Sequence, residues 1–279
     1  MLRYSGMSLS HKITFRERGE GPVLLLIHGY GGSVQHWEDV AENLKSSYRV
    51  IVPNMSHVYM SGDKILFTVQ VEILADFIRN HFPGQKVFIS GMSYGGCLGW
   101  ALALQHPDLI ERLVLVNPMV ADPVSHFNLP ELRYFFAMPL NLKAVYFLLA
   151  TPIGKAFLKR AALLFRDERS EGPIGVETLK GRKLMFVAHM IQHFSWVLRT
   201  ADWNHWVKKM QIAHTETMLI YDCEDLLFKP ESYIDFSKKF HCEEIVKLTG
   251  AGHIAIKTRP EAIAKHMDNF FKTTKQKTA

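Results

Sequence analysis

Cysteine is scarce in this chain of 279 residues: Cys97, Cys223 and Cys242 are the whole set, at no spacing that suits a metal. A disulfide framework is not expected, and a reducing compartment, the cytoplasm, is the expected location. Long apolar runs are missing too. No stretch of about 18 apolar residues is free of charge, so no membrane-crossing helix is expected, and "MLRYSGMSLSHKITFRERGEGP" has no apolar centre of the signal-peptide kind. There are no internal repeats and no low-complexity segments apart from the polar basic end "KTTKQKTA", which is expected to fray. Neither charge sign dominates, with 33 Lys and Arg against 27 Asp and Glu and a formal net charge of +6. The basic residues are interspersed with acidic and apolar ones and form no long run, so a nucleic-acid partner is not expected. Nothing indicates a metal or an organic cofactor. Peripheral contact with an anionic membrane surface stays open, as does the oligomeric state.

What the chain has is material for a core. At 48% hydrophobic content it suits one large α/β domain, or such a domain carrying an insertion. Apolar runs and amphipathic segments alternate up to about residue 117. "HKITF", "VLLLIH", "RVIVP", "KVFIS" and "RLVLVN" read as strands, with helices around "QHWEDVAENLKS", "FTVQVEILADFIRNHF" and the segment after Ser93. This alternation implies a mostly parallel sheet with helices on both faces. From about Ala121 to Met210 the periodicity is helical throughout. The strand–helix rhythm then resumes with "TMLIYD", a helix at about Glu231 to Phe240, "EIVKLT" and a last helix from about Pro260. The expected organisation is an α/β core from residues 1–120 and 211–279, with residues 121–210 inserted as a helical cap.

One corner of this pattern points to chemistry. In "KVFISGMSYGGCLGWALAL", Ser93 lies between a β-branched strand and a helix-forming run, flanked by Gly91 and Gly95. A G-x-S-x-G elbow requires this context: a strained turn lifts the serine oxygen clear of the backbone, and the glycines remove side chains that would clash. The free N–H groups and dipole of the following helix favour an oxyanion.

Together with "IHGYGGS" at 27 to 33, "IYDCEDLLFKP" at 220 to 230 and "GAGHIAIKTRPEAI" at 250 to 263, this segment makes nearly the whole chain resemble the α/β-hydrolase superfamily. The resemblance implies a triad in the order serine, acid, histidine, each member at the C-terminal end of a strand. Ser93 would be the nucleophile and His253 the base that activates it. Position alone leaves Asp222, Glu224 and Asp225 as acids. The family pattern, in which the acid closes a short turn after its strand, implies Asp225, with Asp222 at the usual glycine position and Glu224 facing solvent. Two backbone donors should meet the oxyanion, the N–H of Tyr94 and, by resemblance, that of Tyr30, with His28 anchoring the loop. One departure stands out. Where relatives often carry Asp and a Gly-His-Gly turn after the third strand, this chain has Asn54 and Ser56-His57-Val58.

The implied activity is hydrolysis of carboxylic esters through an acyl-enzyme, with an ester or lipid-like small molecule as partner and a medium or long acyl chain. Residues 121 to 210 hold 13 Lys and Arg against 7 Asp and Glu, among many Phe, Leu, Met and Trp. Such a cover suits an acyl pocket or an anionic membrane surface, or simply packs its apolar residues onto the core domain with its charges solvated outside. Carbon–carbon bond hydrolysis of dienoic ketones is the alternative enzyme, less well matched because Ile254 stands where such enzymes often carry Trp. A slow-turnover ligand-binding protein on the same fold is a third reading.

Overall fold

A computed structural model of the chain describes residues 13–60, 64–164, 180–212 and 214–273. Most of the basic tail and the first residues of "HKITF" lie outside the described residues. Seven strands form one sheet: β1 (Phe15–Arg18), β2 (Val23–Ile27), β3 (Arg49–Pro53), β4 (Val87–Met92), β5 (Ile110–Val116), β6 (Thr217–Asp222) and β7 (Glu244–Leu248). Their spatial order is β1-β3-β2-β4-β5-β6-β7. Only β1 runs antiparallel, pairing Phe15 with Pro53 and Arg18 with Val50. Helices of seven or more residues, numbered along the chain, begin with α1 (Glu38–Leu44), α2 (Phe67–His81) and α3 (Tyr94–Gln105). Next come α4 (Pro130–Ala137), α5 (Leu142–Ala150), α6 (Pro152–Leu164), α7 (Gly181–Thr200) and α8 (Trp203–Met210). The last are α9 (Pro230–Phe240) and α10 (Pro260–Lys272).

The alternation of side chains along each strand divides the core in two. Leu25, Ile27, Ile89, Leu113 and Leu115 face α2 and α3, meeting Val71, Leu74, Leu98 and Trp100. Leu24, Leu26, Val114, Val116 and Ile220 face the other way, against Val40 and Leu44 of α1 and Ile263 and Met267 of α10. Because both faces are covered, β2 is buried at every residue, and "VLLLI" is apolar without alternation. Burying each such side chain contributes about 1.5–3 kcal/mol.

The first strand forms later than the apolar pattern predicts, at "FRER" rather than "HKITF". Its exposed charges are matched across the edge: Arg16 pairs with Glu38 at 3.0 Å, Arg18 with both Glu38 and Glu42, and Arg49 of β3 with Glu17 at 2.7 Å. Charged side chains on an outer strand discourage pairing with another chain, and ion pairs of this kind need no apolar face.

Between β5 and β6 the chain leaves the sheet, and α4 to α8 form a helical insert. The apolar stretch from Glu131 to Ala150, helical throughout by periodicity, breaks at Met138–Asn141. Pro139 lacks an N–H, and Asn141 caps α5 by accepting from the N–H groups of Lys143 at 2.9 Å and Ala144 at 3.4 Å. Growth of the sheet reverses around β2, whose neighbours are β3 and β4. The carboxyl ends of β2 and β4 therefore meet at a topological switch point, where open α/β sheets form their clefts.

Candidate active site

Ser93 occupies the turn between β4 and α3 with φ 54 and ψ −121. A side chain in such a conformation costs on the order of 1–3 kcal/mol, so its surroundings must hold it. Its N–H donates to Val116 O at 3.2 Å, and its carbonyl accepts from Met119 N at 2.8 Å and Cys97 N at 3.0 Å. The flanking glycines are needed for close approach. A Cβ on Gly91 would stand 2.3 Å from Gly95 O, and one on Gly95 would stand 2.3 Å from Ile27 O.

Two loops from other strands converge on this serine. His253, five residues past β7, places Nε2 2.9 Å from Ser93 Oγ and Nδ1 2.8 Å from Asp225 Oδ2. The His253 and Asp225 side chains are fully buried. An Nδ1–H donated to the carboxylate leaves Nε2 as acceptor for the serine hydroxyl, so the array is able to carry a proton from oxygen to ring nitrogen. Asp225 is itself fixed: Oδ1 accepts from Leu227 N at 2.7 Å and Phe228 N at 3.4 Å, and Oδ2 accepts the Tyr233 hydroxyl at 2.5 Å. Burial, reinforced by the Asp225 charge, holds the Tyr233 hydroxyl well above its ordinary pKa and keeps it a donor.

The other carboxylates of this segment point elsewhere. Asp222 accepts from Glu224 N and Ala251 N, both at 2.7 Å, tying the histidine loop to β6, and Glu224 is exposed. Beside Asp222 lies a residue that the sequence marks only as the end of "RLVLVN". Asn117 is fully buried; its Nδ2 donates to the carbonyls of Gly252 and His253, each at 2.9 Å, and its Oδ1 accepts from Asp222 N at 2.8 Å. A polar residue closing an apolar strand was the available signal. Tyr233 had none, because its partner is known only once α9 is in place.

Tyr94 is the first residue of α3, so its N–H has no acceptor within the helix, and it sits at the positive end of the dipole. The loop carrying Tyr30 passes directly against the serine, since a Cβ on Gly29 would stand 3.2 Å from Ser93 Cβ. His28 anchors this loop. Its Nδ1 lies 2.9 Å from Gly29 O, and its Nε2 accepts from Met55 N at 3.0 Å. Burial pulls the imidazole down to about 4, so it is neutral near pH 7. Where the chain departs from the family pattern the role is structural: Asn54 Oδ1 accepts from Ser56 N at 3.2 Å, and Ser56 is the first residue of a single helical turn, Ser56–Tyr59.

The Tyr30 side chain, unlike its N–H, reaches the insert. Its hydroxyl donates to Met190 O at 3.2 Å and lies 3.1 Å from His193 Nδ1 on α7, and its ring centroid is 4.5 Å from that of Phe194. His193 is buried and drawn down to about 4, by burial first and then by His189 and Lys64. From Phe194, aromatic rings follow one another to the histidine: Phe136 at 5.5 Å, Phe127 at 5.6 Å, Phe228 at 5.3 Å and His253 at 5.9 Å. Among the described residues there is no group of three His, Cys, Asp or Glu side chains placed to hold a metal ion.

The sequence profile described as alpha/beta hydrolase fold matches residues 22–260. A curated relative, the pimeloyl-[acyl-carrier protein] methyl ester esterase of Vibrio vulnificus (strain YJ016), is 31% identical over 108 residues, which cover 39% of this chain and 41% of the relative. The matched region thus spans about two fifths of that relative's length. Among solved structures, a bacterial membrane phospholipase A superposes with TM-score 0.68 at 20% identity, covering 92% of this chain and 81% of its own. A thermophilic esterase from Thermogutta terrifontis gives 0.66 at 20% identity, covering 92% of each chain. At such identities the structural likeness concerns the fold.

Proposed function

Because the chain belongs to the alpha/beta hydrolase fold family, we propose that it is a serine hydrolase of carboxylic esters with a medium or long acyl chain. The observation that carries this reading is the hydrogen-bonded series Ser93 Oγ, His253 Nε2, His253 Nδ1 and Asp225 Oδ2, with contacts of 2.9 and 2.8 Å. The esterase named among its relatives supports the same bond type.

In the proposed reaction, Ser93 Oγ attacks the ester carbonyl while its proton passes to His253 Nε2, and the Asp225 carboxylate stabilises the imidazolium. The N–H groups of Tyr30 and Tyr94 receive the oxyanion of the tetrahedral intermediate. Its collapse breaks the bond to the alkoxy oxygen, which leaves as the alcohol with the proton from Nε2, and the acyl group remains on Ser93. Water then gives a proton to Nε2 and attacks the acyl carbonyl; the second collapse releases the acid and returns the proton to Ser93. The aromatic series from Phe194 to Phe228 supports an apolar acyl site beneath the insert. The test is hydrolysis of p-nitrophenyl esters from acetate to long-chain acyl groups, with Ser93→Ala as control. Activity lost in the variant and rising with chain length is the expected result. No activity above the control would overturn the ester reading.

A further inference from the structure

We propose that the outer surface of the helical insert docks on an anionic phospholipid bilayer. The inference stands apart from the hydrolytic reading, because it concerns a surface distant in role from Ser93 and is measured without turnover. Part of the insert is built around a small core of its own, in which Val145 and Leu149 of α5, Leu158 of α6, and Leu184 and Ala188 of α7 pack together. Facing away from it, large apolar side chains stand in solvent: Phe147 is 67% exposed, Ile153 77%, Phe186 56%, with Leu148 and Met185 also exposed.

The α5–α6 corner that carries three of these is rigid. Thr151 donates to Leu148 O through both its N–H at 3.1 Å and its hydroxyl at 2.6 Å, and the Thr151 hydroxyl accepts from Gly154 N at 3.1 Å. A Cβ at Gly154 would lie 2.0 Å from Leu148 O, so the two helices meet backbone to backbone. Phe147, Leu148 and Ile153 are therefore held out on a fixed turn.

The described part of this surface is basic. Among the described residues from Leu132 to Ala201 there is no Asp or Glu, while Lys143, Lys180, Arg182 and Lys183 are exposed. On the sheet domain, by contrast, cations sit beside acids, as in Arg16–Glu38, Arg49–Glu17 and Lys257–Asp39. A face that only met water would need no protruding Phe and Ile. A two-fold contact with a second copy through these described residues would bring Lys and Arg near Lys and Arg. Exposed apolar side chains beside exposed Lys and Arg match the acyl boundary and headgroups of an anionic leaflet.

Co-sedimentation with phosphatidylcholine vesicles, with and without phosphatidylglycerol, tests the proposal. The intact chain should partition onto the anionic vesicles at least tenfold more strongly than onto the neutral ones, less so in high salt. Phe147→Ser with Ile153→Ser should weaken partition by at least tenfold, and Arg182→Glu with Lys183→Glu by about fivefold or more per charge. Ile245→Ser, on exposed β7, should leave it unchanged, and the melting temperature of each variant would establish that it is folded. The proposal is overturned by absent or charge-independent partition, or by unchanged partition of a folded Phe147→Ser/Ile153→Ser protein. It is also overturned if light scattering shows a dimer that this double variant converts to monomers, because a second copy would then own the patch. A chain that binds vesicles but cleaves no ester would keep this inference and lose the proposed activity.

Discussion

Replacing Asn117 with alanine should harm both stability and turnover, although Asn117 touches neither the serine nor a substrate. Its amide satisfies three buried backbone groups: the N–H of Asp222 and the carbonyls of Gly252 and His253. Leaving each unsatisfied costs about 1–3 kcal/mol, and with partial relaxation the sum is about 3–6 kcal/mol. The residue also sits at φ 41, where alanine is less tolerated than asparagine and adds roughly 1 kcal/mol. That total is a large share of the 5–15 kcal/mol typical of a domain. In the protein that remains folded, the His253 carbonyl has lost its tether, and a misplacement of about 1 Å lowers kcat/KM by on the order of 10²-fold. Asn117→Asp, which keeps the acceptor for Asp222 N–H but sets carboxylate oxygen against two carbonyls, should be at least as damaging. Urea unfolding and ester kinetics on the wild type and both variants measure the two effects. A stability change below about 0.5 kcal/mol with unaltered turnover in Asn117→Ala would refute the assignment, since surface substitutions stay within that range.

Asp225→Asn should cut ester turnover by on the order of 10³–10⁴-fold in a folded protein, whereas Asp222→Asn should mainly lower the unfolding midpoint; the reverse ranking would move the acid to Asp222. Because His28 is held at about 4 in the folded chain and titrates near 6.5 when unfolded, the unfolded state binds more protons between those values. Stability should therefore be complete above about pH 6.5 and fall as pH drops towards 4, by ~2 kcal/mol at pH 5 from this group alone; urea midpoints of wild type and His28→Gln would differ in their pH slope, and identical slopes would contradict the assignment. Tyr30→Phe keeps the ring against Phe194 and removes the ties to Met190 and His193. If α7 helps to set the loop proposed to receive the oxyanion, kcat should fall about tenfold with KM little changed, because a misaimed oxyanion donor costs up to about 10²–10³-fold; an unaltered kcat would show the loop to be held by the core alone.

Much of this architecture is legible where a local pattern decides the structure. β3 and β6 coincide with the apolar runs "RVIVP" and "TMLIYD", and α10 begins at Pro260, where proline suits the first turn of a helix. The elbow is readable because glycines in close contact are a local requirement. β1 is not, since its stability comes from pairing with β3 and from ion pairs to α1, which a hydrophobic pattern cannot register. The break at Pro139 is hidden by the continuing periodicity of the apolar residues on either side. Within the candidate site, Ser93, His253 and Asp225 each follow a strand in a turn that the sequence makes recognisable. Asn117, Tyr233 and His193 matter through partners that only the tertiary structure supplies, 136 residues away in the bond from Asn117 to His253 and 163 in the contact of His193 with Tyr30.

The most direct test of the proposed nucleophile is reaction of the intact protein with a fluorophosphonate, followed by intact-mass measurement and peptide mapping. The account predicts one adduct per chain, on the peptide containing Ser93, absent in Ser93→Ala and formed far more slowly in His253→Ala. An unlabelled wild-type protein, or an adduct on any residue other than Ser93, would contradict it.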